Sequence, residues 1–124
     1  MATKFYKCAH CGNVIVKMVD SGVPVVCCGE KMQELVANTV DAATEKHLPC
    51  VTRCGEGLLK IEIGSEHHPM TKEHRIVLIY VETENGGIHV NLKNEPLAEV
   101  CVCKEKPVAV YEYCNLHGLW KKDL

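Results

Sequence analysis

Near the end of the chain, Cys114 and His117 stand three apart in Tyr-Cys-Asn-Leu-His-Gly-Leu-Trp, residues 113–120. A thiolate and an imidazole at that spacing can share one metal ion, but a lone Cys-x-x-His pair is a weak signal. The remaining donors must come from elsewhere. Six further histidines lie at positions 10, 47, 67, 68, 74 and 89. His10 falls between Cys8 and Cys11 and reads as a solvated loop residue. His89 alternates with Ile88 and Val90, so it faces away from a core and reads as surface. His67 and His68 are adjacent and point opposite ways in extended chain. Pro69 restrains His68 toward an extended backbone, which favours His68 as the ligand. His47, His68, His74 and His117 then join Cys114 as five donors. A structural zinc site normally takes four. Five ligands with an open sixth position suit iron, and an open position implies chemistry. The competing reading makes each histidine an isolated surface residue. That would hold for one of them and weakens for four with a cysteine in one domain.

A second set lies at the amino terminus. Cys8-x-x-Cys11 is followed by the adjacent pair Cys27-Cys28. A two-residue gap lets two thiolates point at one ion; adjacent thiolates converge only with angular distortion. Four sulfurs in a tetrahedron suit zinc or iron. Gly12 and Gly29 follow the two pairs, where tight turns favour glycine. A purely structural zinc knuckle is the competing reading.

The totals bound what these sites can serve. Lys and Arg number 14 against 16 Asp and Glu, a net charge of −2, which argues against a nucleic-acid partner. The longest apolar run, residues 76–81, is too short to span a bilayer. The opening residues, MATKFYKCAHC, lack the apolar stretch of a secretory signal, so a cytoplasmic protein with no membrane association is expected. Nine cysteines in 124 residues is an odd and high count. In a reducing compartment such cysteines bind metal more often than they form bridges.

Two parts must position these residues. Residues 1–36 hold four cysteines and too little apolar material for a self-standing core, so a metal or bridges must help them fold. Residues 37–124 read as strands. Leu59, Ile61 and Ile63 alternate with Lys60 and Glu62. Residues 74–83 read as a central strand rich in β-branched side chains. Asn85-Gly86 signals a hairpin turn through tolerance of positive φ. Ile88, Val90 and Leu92 alternate again, and residues 98–104 and 107–113 complete the set, with Pro96 and Pro107 near strand starts. No segment shows sustained helical periodicity. The expected class is mainly β: a small metal module followed by an antiparallel sandwich of immunoglobulin-like type, with a small barrel as the alternative.

Together, His68-Pro69-Met70 with His74, Glu45-Lys46-His47-x-Pro49, and Cys114-Asn-Leu-His117-Gly-Leu-Trp120 resemble superoxide reductase. With Cys8, Cys11, Cys27 and Cys28 the whole chain resembles desulfoferrodoxin, the two-iron form of that family. The resemblance implies a desulforedoxin-like module with an Fe(Cys)4 centre over residues 1–36. It implies a sandwich over 37–124 holding a square-pyramidal iron, with His47, His68, His74 and His117 equatorial and Cys114 axial. Glu45 and Lys46 would lie on a mobile loop over the open position, Lys46 steering the superoxide anion and Glu45 ligating ferric iron after turnover. The implied activity is one-electron reduction of superoxide to hydrogen peroxide, with a rubredoxin-like electron donor and a homodimeric assembly. Backbone N–H groups near the Cys114 sulfur, of Leu116 and His117, would tune its donation.

Cys50, Cys54, Cys101 and Cys103 fall outside both ligand sets. In extended chain Cys50 and Cys54 would lie roughly 13 Å apart, and Cys101 and Cys103 about 6.6 Å on one face. They read mainly as small buried or half-buried apolar residues, with a redox role as the lesser alternative. Two other function classes stand beside the enzyme: an electron-transfer protein of blue-copper type, using two His, one Cys and often a weak Met, a role Met70 does not clearly fill, and a zinc-stabilised interaction module. Four available histidines argue against the first.

Overall fold

The computed structural model describes residues 3–39, 47–64 and 68–124, and within them every named element is a β-strand. The chain forms two compact units, Met1–Val36 and Ala37–Leu124.

In the first unit β1 (Phe5–Lys7) sits between β2 (Val14–Val16) and β5 (Gln33–Leu35), while β3 (Val26–Cys27) and β4 (Glu30–Lys31) form a separate hairpin. Phe5 lies opposite both Val16 and Leu35, and this one row is the apolar centre of the sheet. Among the described residues of this unit, only Phe5 and Cys8 are buried apolar side chains. The β3–β4 loop is Cys28-Gly29, with φ of 53° and 78°. Positive φ at both loop residues matches the twist of a two-residue hairpin, and Gly29 adopts it at no steric cost.

Among its described residues the second unit has seven strands: β6 (Pro49–Arg53), β7 (Leu58–Ile63), β8 (Ile76–Thr83), β9 (Gly86–Asn91), β10 (Leu97–Cys101), β11 (Pro107–Cys114) and β12 (Gly118–Asp123). They make two antiparallel sheets, ordered β10-β7-β6 and β12-β11-β8-β9. The step from β9 to β10 changes sheet, the immunoglobulin-like arrangement expected. Alternation decides which faces meet. Leu59, Ile61, Ile63 and Val100 come from one sheet, and Ile76, Ile79, Val81 and Val110 from the other. They join in one buried cluster.

Several local expectations change. The β8–β9 hairpin forms with Glu84 and Asn85 as its loop, since Thr83 pairs with Gly86. Neither Asn85 nor Gly86 takes a positive φ. Strand β8 starts at Ile76 rather than at position 74, because the Thr71 Oγ1 hydroxyl accepts from the His74 backbone N–H at 3.0 Å and donates to the His74 carbonyl at 3.2 Å, holding a turn there. Strand β10 ends at Cys101, because Val102 N–H leaves the ladder to donate to the Gly57 carbonyl at 2.7 Å. The largest correction concerns Cys50, Cys54, Cys101 and Cys103: all four are exposed thiols, not core fillers. Val100 on β10 and Val102 just beyond it are both buried, so their neighbours at 101 and 103 face out.

Candidate metal centres

In the first unit the β1–β2 connection is a knuckle: Cys8 N–H donates to the Asn13 carbonyl at 2.9 Å and Gly12 N–H to the Cys8 carbonyl at 3.1 Å. This points Cys8 and Cys11 toward the β3–β4 hairpin that carries Cys27 and Cys28. The four sulfurs lie within 4.8 Å of one another. A tetrahedron with metal–sulfur bonds of roughly 2.3 Å has edges of roughly 3.8 Å. Cys11 and Cys27 Sγ are 3.6 Å apart. Backbone N–H groups of Cys11 and His10, at 3.5 and 3.4 Å, aim at Cys8 Sγ and lower its thiol to about 6. The neighbouring Cys11 and Cys8 push the Cys28 thiol up to about 12. Four thiolates cannot crowd together alone, and a cation that binds all four removes the conflict. The donor set therefore fits a tetrahedral metal. Adjacent cysteines reach it because Cys28 accepts a left-handed backbone. His10 stands apart, exposed, with Nε2 3.1 Å from Glu30 Oε2.

The second cluster sits at one end of the sandwich. His47, His68, His74, His117 and Cys114 bring one donor each within 4.8 Å of one another. The four rings form a closed square. Successive centroids, from 47 to 68 to 74 to 117 and back to 47, are 4.7, 4.7, 4.9 and 4.8 Å apart, with interplanar angles of 67° to 82°. Bonds of roughly 2.0–2.3 Å put opposite donors roughly 4.0–4.6 Å apart across one ion, so the spread accommodates it. Cys114 Sγ is 3.6 Å from His68 Nε2 and 3.9 Å from His117 Nδ1, adjacent to both.

Each donor is held from behind. His68 Nδ1 lies 2.7 Å from the Pro69 carbonyl, which can only accept, so Nδ1 carries the proton and Nε2 is left to ligate. Glu112 Oε2 is 3.6 Å from His47 Nδ1, and Trp120 stacks on the His47 ring at 5.0 Å and 12°. Trp120 Nε1 also donates to the His117 carbonyl at 3.1 Å. Asn115 stitches two loops together. Its Oδ1 accepts from Arg75 N–H at 2.9 Å and its Nδ2 donates to the Glu73 carbonyl at 3.1 Å, bracketing His74. Burial pushes the Cys114 thiol up, while the backbone N–H groups of His117 and Leu116 pull it down. Burial alone pushes the fully buried Glu112 carboxyl up to about 9.

The structure thus brings together every metal-ligating residue expected from the sequence, in two clusters. Glu45 and Lys46 lie outside the described residues, as does His67. His89 is exposed on β9, with Nε2 2.7 Å from Asn91 Oδ1. Glu112, Asn115 and Trp120 join the site as positioning residues beyond the ligands read from the sequence. Glu112 had a readable signal: Val110, Glu112 and Cys114 alternate along β11, so a carboxyl shares the inward face with the ligand cysteine. Trp120 pairs with Glu112 across the β11–β12 ladder.

Comparisons with known proteins agree with this geometry. The family model described as "Desulfoferrodoxin" matches residues 39–123, and that described as "Desulfoferrodoxin, N-terminal domain" matches residues 2–35. A desulfoferrodoxin of Nitratidesulfovibrio vulgaris is 40% identical over 122 residues, covering 97% of this chain and 95% of the relative. A superoxide reductase of Thermococcus kodakarensis is 32% identical over 99 residues, covering 64% of this chain and 86% of the relative. The crystal structure of the superoxide reductase from Treponema pallidum superposes with a TM-score of 0.82 at 29% identity, covering 99% of this chain and all of that one.

Proposed function

The chain belongs to the desulfoferrodoxin family, and from that premise we propose that the four-histidine, one-cysteine cluster is its catalytic iron site and the four-cysteine cluster a second, Fe(Cys)4 centre. The protein is an oxidoreductase, a superoxide reductase, in which superoxide takes one electron and two protons to give hydrogen peroxide. One observation carries this reading: four imidazoles in a square with a buried thiol against them, a donor set too large for a structural zinc site. Residues 1–36 are then the desulforedoxin-like domain and 37–124 the superoxide reductase domain.

Iron held by His47, His68, His74, His117 and Cys114 would supply the electron and a place for the substrate anion. The chain does the rest. The Cys114 thiolate would donate electron density to an iron held there, and the Leu116 and His117 N–H groups would moderate that donation. Pro69, Glu112, Trp120 and Asn115 fix ring orientation, so little rearrangement is needed during turnover. Lys46, next to ligand His47, supplies the local positive charge that draws an anion to a protein of net charge −2. It also orders the water that delivers protons. Glu45, two residues before ligand His47, would ligate ferric iron after turnover. A rubredoxin-like protein is the electron donor, the protein works in the cytoplasm in superoxide detoxification, and the assembly is a homodimer. The exposed apolar side chains Met18, Val19, Val23 and Val26 support a partner surface on the first unit. Among the described residues no helix is long and apolar enough to cross a membrane.

The test is metal analysis of anaerobically purified protein, followed by stopped-flow mixing with superoxide. Two irons per chain and stoichiometric peroxide without oxygen release are expected; zinc or copper in place of iron would overturn the reading. Lys46→Ala should slow the superoxide step and flatten its salt dependence. An unchanged rate at low ionic strength would remove the steering role.

A further inference from the structure

Outside both ligand sets, Cys101 Sγ and Cys103 Sγ lie 3.4 Å apart on the surface of the sandwich. The closeness is built by the backbone. In a regular strand, residues two apart are about 6.6 Å apart at Cα, the far limit for a disulfide. Here Cys103 takes a left-handed backbone, φ 54°, which a residue with a Cβ adopts only under constraint. Val102 between them supplies that constraint. Its side chain is buried, its N–H donates to the Gly57 carbonyl at 2.7 Å, and its carbonyl accepts from Glu105 N–H at 2.9 Å. Gly57 is needed there, since a Cβ on it would meet the Cys103 carbonyl oxygen at 2.5 Å. The two thiols are therefore carried outward on an anchored turn. A cavity of about 300 Å³ opens beside Cys103, with Arg53, Lys104 and Lys106 in its lining against the single carboxylate of Glu105.

We propose that Cys101 and Cys103 form a redox-active dithiol, oxidised to an intramolecular disulfide by hydrogen peroxide and re-reduced by a small thiol bearing carboxylates. The source of the peroxide rests on the superoxide reductase reading, since peroxide is that reaction's product. The Cys101 thiolate attacks one peroxide oxygen. An S–O bond forms, the O–O bond breaks, and the departing hydroxide takes a proton to become water. Cys103 then attacks the Cys101 sulfur. The S–S bond forms, the S–O bond breaks, and the second oxygen leaves as water with the Cys103 proton. Two thiols have given two electrons to one peroxide. The neighbouring Cys101 sulfur pushes the Cys103 thiol up, so Cys103 keeps its proton and suits the second, resolving step. Two molecules of the external thiol reverse the change and leave as their own disulfide; the cations beside Cys103 give its carboxylates a landing place. Two exposed thiols, Cys50 and Cys54, serve as internal controls.

The experiment uses the full, metal-loaded chain under anaerobic conditions, treated with one equivalent of hydrogen peroxide, alkylated, digested with trypsin and weighed. Residues 94–104 form one tryptic peptide holding Cys101 and Cys103 and no other cysteine, while Cys50 and Cys54 fall on separate peptides. The expected result is a 94–104 peptide two hydrogens lighter and closed to alkylation, with Cys50 and Cys54 still alkylated, and restoration by glutathione. Cys103→Ser should stop at a sulfenic acid on Cys101, trapped by dimedone, with superoxide reduction unchanged. Oxidation of the pair no faster than that of Cys50 and Cys54, or a sulfenic acid that Cys103 never resolves, would overturn the proposal. Replacing peroxide with a superoxide flux separates the two readings: a disulfide formed with peroxide but not with superoxide supports the dithiol and counts against the iron site as its peroxide source.

Discussion

In the amino-terminal unit one of the two buried apolar side chains among the described residues, Cys8, is itself a ligand. In the carboxy-terminal unit His47, His68 and Cys114 are buried too, but they stand on a core that runs from Leu59 to Val110 across two sheets. The first set holds its fold together: remove the ion and three short strands, a hairpin and one row of apolar contacts are left. The second set is held by its fold, through hydrogen bonds and stacking from residues that are not ligands. A metal that builds its own surroundings can afford strain in its ligands, as at Cys28. A reactive centre instead needs surroundings that stay put when its charge changes.

The largest expected effect follows directly. Stripping both metals should abolish amide protection throughout residues 3–36 and leave β6 to β12 protected. In small metal-folded peptides the ion contributes about 10–16 kcal/mol, more than this unit's apolar row can replace. Hydrogen exchange of apo and holo protein reads the contrast, and equal loss in both units would break it. Next comes the sandwich core. Ile79 is fully buried, so Ile79→Ala should cost about 2–5 kcal/mol. It should lower the melting point of the second unit and leave the visible absorption of the four-sulfur centre intact. A fall in both together would mean that the units do not stand separately.

The contrast also explains what could be read from the sequence. Ligands were legible in both units because Cys and His are scarce, and each has few roles at a given spacing. Strands such as β7 were legible through alternation. Strand β12 is not legible in this way, as Gly118–Asp123 follows the ligand motif directly and its pairing with β11 is set in three dimensions. The outward facing of Cys101 and Cys103 depended on which neighbour won the core, and Val100 and Val102 won it. Asn115 left no trace in the pattern, because its partners, the Glu73 carbonyl and the Arg75 N–H, are backbone atoms forty or more residues away.

Glu112 tests how firmly the fold holds the second set. Its carboxyl ordinarily ionises near 4.5, and burial pushes it up to about 9. Between those values the folded metal-free protein keeps the proton and the unfolded chain loses it. Stability from this group is therefore fully present below about 4.5 and drains away as pH rises toward about 9. Glu112→Gln should flatten that slope in denaturant titrations of the metal-free protein; an unchanged slope would show that Glu112 does not carry it. Glu112→Leu also removes the group facing His47 Nδ1, and should weaken metal binding at the second site by about 10–100-fold while leaving the first untouched.

The smallest effect separates two jobs of one residue. Trp120 stacks on His47 and donates to the His117 carbonyl, so it touches two sides of the histidine square. Trp120→Phe keeps a ring against His47 and loses the donor, which should cost about 1 kcal/mol, or roughly a fivefold change in metal affinity. Trp120→Leu removes both and should cost more. If the two variants are equal, stacking contributes nothing and the hydrogen bond alone positions the site. If Phe is silent and Leu is not, His47 is oriented by the aromatic face, and the square is braced from the ring side rather than through the backbone of the β11–β12 turn.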